Sequence, residues 1–393
     1  MKIHRTLSIC LFLLLGGMGL QAQPLALLDT IAANNLGLRS LRAGVKATGE
    51  EARASLRLPD PEAEVAYLLG SPSAVPNRTN VGLKQELPWT MLTGRQKSAA
   101  EATTALAEMD FETARQAVVA AGLDLLVQLV HFNRLEAEMA LRLRTADEVE
   151  ALCRKRYAQG DLTVLELNKA RLNRAVAEAE LRRVATDREG VARQLQQLNG
   201  GLPLVCTDTA YAFGVAEWCT PQVDFPAQQT AAVRRAEASV KQREAELQLA
   251  RTRRLPSLTV GFVGEYIPNN NYSGLSLGVS LPLWGSTRAS VRSSEANLLA
   301  AQLDRADAQL QVSAEAGRLR AEALRLDGVA RELSEALSAT ESAALLQRSL
   351  DLGQISLLDY LLEISFFYTA RTAWLEADRD AHQAAAAFRA LSL

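Results

Sequence analysis

The sequence predicts a mainly α-helical chain with a small β part, built as an internal duplication of long helices, and three observations carry that prediction. The twelve prolines cluster so that Trp89–Leu202 and Leu283–Leu393 contain none. Proline breaks helix interiors, so these runs leave room for very long helices. The stretch RKRYAQGDLTVLELNKA, Arg154–Ala170, is echoed by RSLDLGQISLLDYLLEI, Arg348–Ile364. Finally, the proline-bounded segments Pro61–Pro88 and Pro256–Pro282 alternate apolar and polar residues with period two, as strands do. They match one another at an offset of about 195, which marks the duplication.

The first element is an export signal. Lys2, His4 and Arg5 precede the apolar run Ile9–Leu15, and Leu20-Gln21-Ala22 offers a cleavage site, so 1–22 reads as a signal peptide. Cys10 lies inside that run, which leaves Cys153, Cys206 and Cys219 in the mature chain. The first repeat, 23–200, should contain a helix over Leu25–Leu58, a hairpin at 61–88, a long helix Met91–Ala158, a tip turn 157–165 and a helix Val164–Asn199. A linker, 201–226, follows. The second repeat, 227–393, runs in the same order: Ala227–Leu255, a hairpin at 256–283, Thr287–Leu352, a tip turn 350–358 and Leu357–Ala390. Each long helix is on the order of 100 Å, and two short helices end to end match one long one.

The long helices carry heptad seams. Ala114, Val118, Ala121, Leu125, Gln128 and Phe132 begin one that continues through Leu135, Met139, Arg142, Ala146 and Val149 to Cys153. Val312, Ala316, Leu319, Ala323, Leu326 and Ala330 begin the other, which ends at Leu333 and Leu337. At the tips, Gly160 and Gly353 stop one helix, while Thr163 and Ser356 cap the next. Thr163-x-x-Glu166 is a capping box and Ser356-x-x-Asp359 a weaker version of it.

In the hairpins, Leu275, Leu277, Val279, Leu281 and Leu283 form one face, matched on the partner strand by Leu258, Val260 and Phe262. Val81, Leu83 and Leu87 do the same in the first hairpin. Strands of about 9–11 residues suit either a half-buried soluble hairpin or a tilted membrane strand. Tyr67, Trp89, Tyr266, Tyr272 and Trp284 at the strand ends favour a bilayer interface. Four strands with one apolar face cannot close alone, whereas three copies would make a twelve-stranded barrel.

Composition excludes several functions. Hydrophobic residues at 48% and charged residues at 22% allow a folded core, and a net charge of −2 gives no footprint for nucleic acid. His131 and His382 form no ligand cluster, and no phosphate loop, nucleophile elbow or zinc-hydrolase motif occurs, so no cofactor, metal or enzymatic chemistry is expected. Cys206 and Cys219, close together in an exported linker, are read as either a disulfide or two free thiols, with the bridge favoured.

The duplicated order, the Tyr157/Leu350-x-x-Gly turns followed six residues later by Glu166 or Asp359, and the strand exits Glu86-Leu87-Pro88 and Ser280–Trp284 resemble the TolC-like outer-membrane efflux proteins. That resemblance implies a homotrimer: a β-barrel in outer-membrane lipid of a Gram-negative bacterium, continuous with an α-helical periplasmic tunnel. It implies adaptor-docking tips at Tyr157, Gly160, Leu162 and Thr163, and again at Leu350, Gly353, Ile355 and Ser356. It places Glu166 and Asp359 near the closed constriction, where local pattern alone makes them capping residues. A basic residue common in the family is replaced by Ile355. The implied partners are a periplasmic adaptor and an inner-membrane transporter of the RND type, with passive transport of drugs, toxic compounds or metal cations. An exit duct for type I protein secretion, or a soluble periplasmic coiled-coil adaptor, are the alternatives.

Overall fold

The computed structural model describes residues 24–72, 75–219, 225–281, 286–339 and 342–393. The expected signal peptide, the end of the second hairpin at Pro282 and Leu283, and Trp284 lie outside the described residues. Ten helices, one short 3₁₀ turn and a four-stranded sheet are present among those described.

The first half begins with α1 (Pro24–Asn34) and α2 (Leu36–Ala54), then β1 (Glu62–Leu68) and β2 (Arg78–Leu87), then the single turn α3 (Trp89–Leu92) and the 65-residue α4 (Arg95–Gln159). At about 1.5 Å per residue, α4 is about 98 Å long. α5 (Val164–Leu198) returns along it, and α6 (Val215–Trp218) sits in the linker. The second half repeats the order with α7 (Ala231–Thr252), β3 (Ser257–Ile267), β4 (Asn270–Ser280), α8 (Ser286–Ala339), α9 (Ser342–Asp351) and α10 (Leu357–Ala390).

Two expected helices depart from their expected bounds. The first stops at Asn35, whose carboxamide oxygen accepts from Leu38 N at 3.0 Å while its Nδ2 donates to Leu198 O at 2.9 Å. One side chain thus caps α2 and ties it to the end of α5. Asn34 donates to Asn199 Oδ1 at 2.9 Å in the same joint. Gly200, at φ +68°, is obligatory there, because a Cβ would lie 2.3 Å from Asn34 O. The long helix expected from Met91 starts at Arg95 instead, since Gly94 adopts φ +71°. The second long helix is described as α8 and α9, with residues 340–341 between them outside the described residues.

The end-to-end arrangement is as expected: α1 and α2 cover one part of α4 and α5 another, while α7 and α10 share the length of α8. The second seam is accurate, with Ala316, Leu319, Ala323 and Ala330 buried. The first is accurate only from Met139 to Cys153. Between Val119 and Asn133, α4 is buried on several faces and Ala121 is exposed, because α1, α5, α10 and the linker all pack there. By length and composition α4 could cross a membrane, but its apolar window is 50% buried against these neighbours and is a core segment.

The sheet order is β1-β2-β3-β4, all antiparallel, so the two hairpins join through β2 and β3. Register places Leu87, Leu258 and Val279 in one row, and Leu83, Phe262 and Leu275 in another, on a shared apolar face. That face is bare: Leu275 is 91% exposed, Leu277 78% and Val65 72%. On the opposite face Lys84 pairs with Glu64 and Arg78 with Glu265, both at 2.8 Å.

Candidate docking tips and constriction

Each tip is a helix stop followed at once by a helix start. Gly160 and Gly353 take φ +84° and +71°, conformations that side chains with a Cβ seldom adopt. In the first tip Gly160 N donates to Tyr157 O at 3.0 Å and Asp161 N to Arg156 O at 3.0 Å. In the second, Gly353 N donates to Leu350 O at 3.0 Å and Gln354 N to Ser349 O at 2.8 Å. The turns are the same backbone structure made twice.

The caps differ as the sequence predicts. Thr163 Oγ1 accepts from Glu166 N at 3.3 Å, and Glu166 Oε2 accepts from Thr163 N at 2.9 Å and from Thr163 Oγ1 at 2.6 Å, a complete capping box. These hydrogen bonds hold the Glu166 carboxyl below its ordinary range. Ser356 Oγ accepts from Asp359 N at 3.2 Å and donates to Asp359 Oδ2 at 2.6 Å, without a return bond to the Ser356 amide. Glu166 is half-buried and Asp359 exposed.

One hydrophobic cluster joins the two tips. Val149, Cys153, Leu167, Leu350, Leu357 and Tyr360 are buried in it, and Leu162 and Ile355 close it at equivalent places in the two turns. Leu162, Leu350 and Ile355 therefore support the tips from within. Tyr157, 45% exposed, is on the surface, as are Leu165, Leu352 and Leu358.

Sequence reasoning missed Arg156, whose guanidinium donates to Leu350 O at 2.9 Å and Asp351 O at 3.1 Å. It staples the first tip onto the last carbonyls of α9, where a cation also suits the helix dipole. Its counterpart in the second repeat is Ser349, so the duplication gave no signal. Tyr360 was also missed; its hydroxyl donates to Gln347 Oε1 at 2.9 Å, and its ring occupies the place that Leu167 takes in the first tip.

Above the tips, polar contacts run between α4 and α10. Arg142, the polar residue in the seam, is buried and donates to Glu138 Oε1, Tyr368 O and Thr372 Oγ1, each at 3.1 Å. Arg134 pairs with Asp378 at 2.5 Å. Burial pushes the Asp378 carboxyl up, but hydrogen bonds from His382 and Arg134 outweigh it and the net direction is down. A cavity of about 460 Å³ lies between α4, α5 and α10, lined by Arg142, Asn173, Tyr368 and Glu376.

The linker wraps the waist. Asn133 Nδ2 donates to Cys206 O at 3.1 Å and Asp208 O at 2.9 Å, and Arg320 Nε donates to Cys219 O at 3.1 Å. Tyr211 stacks on His382 at 3.9 Å. The favoured disulfide is not formed: Cys206 and Cys219 are free thiols. Cys219 is buried in the core beneath α6, while Cys206 turns its sulfur toward Asp208 at 3.8 Å.

Twinned helical tips, a wall of end-to-end helices and a sheet with one bare apolar face define a class of fold: duplicated long helices joined to a small antiparallel sheet. Residues 227–392 match the family model described as outer membrane efflux protein, which bears out the resemblance read from the sequence. VceC, the outer membrane protein of Vibrio cholerae, superposes with a TM-score of 0.74 at 16% identity, covering 94% of this chain and 96% of that one. A membrane protein from Pseudomonas aeruginosa gives 0.74 at 21% identity, covering 94% and 93%. The open-state MtrE outer membrane channel of Neisseria gonorrhoeae gives 0.68 at 20% identity, covering 94% and 89%. These likenesses show the fold. No curated protein sequence is significantly similar to this one.

Proposed function

We propose that this chain is one subunit of a homotrimeric channel-tunnel that conducts substrates from a periplasmic adaptor and an inner-membrane pump to the cell exterior. The observation that carries this reading is the sheet. Its edge strands β1 and β4 are unpaired among the described residues, and its apolar face is uncovered. Open edges and bare apolar surface are both removed when sheets join edge to edge within a bilayer. Three copies of four strands give a closed barrel of twelve.

The helices support the same arrangement. Within the chain α5 packs chiefly on α4, and the outer flank of α8 carries exposed Leu299, Leu303, Leu310 and Leu324. The β1–α2–α5 side of one copy would therefore meet the β4–α8 side of the next. The paired tips would form a ring of six helical hairpins for the adaptor, with Glu166 and Asp359 contributing six carboxylates at the constriction. Such a ring favours cations.

The test is a detergent-extracted sample examined by size-exclusion light scattering and planar-bilayer conductance. A trimer with discrete pores is expected; a monomer released by osmotic shock overturns the proposal.

A further inference from the structure

The four places where the chain passes between sheet and helices share a composition that the conduit role does not require. Arg53 ends α2, and Leu56-Arg57-Leu58 leads into β1. Beyond β2, Trp89 and Leu92 precede Arg95 and Lys97 at the start of α4. Arg251, Arg253, Arg254 and Leu255 precede β3, while Leu281, Arg288 and Arg292 follow β4. Every junction therefore carries at least two basic side chains and an exposed leucine: Leu58 at 51%, Leu92 at 60%, Leu255 at 50% and Leu281 at 55%.

Counter-charges are scarce at three of the four junctions, while the first also holds Asp60 and Glu62. No Asp or Glu occurs in Leu87–Ser98, Leu247–Pro256 or Leu281–Ser294. Arg53, Lys97 and Arg251 pair with Glu50, Glu101 and Glu295 on the surface. Arg57, Arg95, Arg253, Arg254, Arg288 and Arg292 are exposed and have no carboxylate partner among the described residues. At the far end of the sheet the only basic residue is Arg78, already paired with Glu265. Around the sheet, unpaired positive charge therefore lies at its helical end, directly beside the apolar face.

We propose that these junctions form a belt that binds the anionic phosphate headgroups of the leaflet on the helical side of the membrane. This rests on the reading of the sheet as membrane-spanning. Guanidinium groups match phosphate oxygens in a two-pronged geometry, and the leucines and Trp89 enter the acyl boundary alongside them. Each basic group near an anionic bilayer strengthens attachment roughly fivefold, so the belt fixes the depth of the barrel and resists its sliding along the membrane normal.

The experiment titrates the full-length protein in non-ionic detergent with phosphatidylglycerol or phosphatidylcholine and counts bound lipids by native mass spectrometry. Phosphatidylglycerol should bind at least about tenfold more tightly, with a preference that weakens as salt rises. Combining Arg57→Gln, Arg95→Gln, Arg253→Gln and Arg254→Gln should remove the preference, and the four Arg→Lys replacements should keep most of it. If the fourfold variant does not fold, the pairs Arg57→Gln/Arg95→Gln and Arg253→Gln/Arg254→Gln should each lower it. Inorganic phosphate should not compete, because the belt needs the bilayer-anchored headgroup. Equal binding of the two lipids by the wild type overturns the proposal. So does a variant that keeps its lipid preference and changes only ion selectivity in planar bilayers, since the belt would then line the bore. Failure of the wild type to float with phosphatidylcholine vesicles would instead sink the membrane reading itself.

Discussion

Replacing Gly353 by valine perturbs the second tip at a single backbone angle. Gly353 sits at φ +71°, and an added Cβ meets nothing within 4 Å, so no steric clash contributes and the whole cost is conformational. Forcing an L-residue into the left-handed region costs about 1–2 kcal/mol, with β-branched residues at the upper end. The alternative is for the turn to leave that region and lose the bonds from Gly353 N to Leu350 O and from Gln354 N to Ser349 O. At about 1 kcal/mol net each, that route costs much the same. Either way the local opening equilibrium shifts by a factor of about 5–30. Amide exchange over residues 349–360 should accelerate by that factor, while the sheet and waist keep their protection. Asparagine tolerates the left-handed region, so Gly353→Asn should be mild and Gly353→Ala intermediate. Under the adaptor-docking reading, the valine variant assembles normally and loses efflux in cells. Unchanged exchange in Gly353→Val would refute the backbone argument, and normal efflux from a loosened tip would refute docking at this turn.

Two further predictions concern titratable groups. His131 is only 2% exposed, and burial, followed by the nearby Arg379 and Arg134 charges, pushes its pKa down to about 4. The unfolded chain therefore takes up this proton first: stability is full above about pH 6.5 and is lost as pH falls toward 4, by on the order of 3 kcal/mol per chain. Urea midpoints measured from pH 7.5 to 4.5 should show this fall in the wild type and a flatter profile in His131→Leu. Asp359→Asn keeps a side chain able to bond Ser356 while removing the charge. If Asp359 lines the constriction, the variant changes resting conductance or cation preference in planar bilayers. If conductance is unchanged and only Asp359→Ala lowers the melting temperature, capping is its whole role.

What was legible in the sequence was what short-range chemistry dictates. Gly160, Thr163 and Glu166 write a complete stop-and-restart signal within seven residues, and Leu275, Leu277 and Val279 declare their face by period alone. What was not legible depends on residues far apart in the chain. Asn35 lies in a run of good helical periodicity, and the break there is fixed by Leu198, 163 residues away. The seam through Ala121 and Leu125 assumed one packing partner, whereas this stretch of α4 meets several elements. Proximity in sequence favoured joining Cys206 to Cys219, but Asn133 and Arg320 hold their backbones on different helices, α4 and α8.

The duplication also hides an asymmetry with mechanical consequences. The first tip has a reciprocal cap between Thr163 and Glu166, on an uninterrupted α4. The second has a one-way cap between Ser356 and Asp359. The second tip is held by contacts from elsewhere: Arg156 binds the carbonyls of Leu350 and Asp351, and Tyr360 binds Gln347. The first tip therefore acts as a rigid support against which the second is held, and Arg156 is the side chain through which that support is exerted.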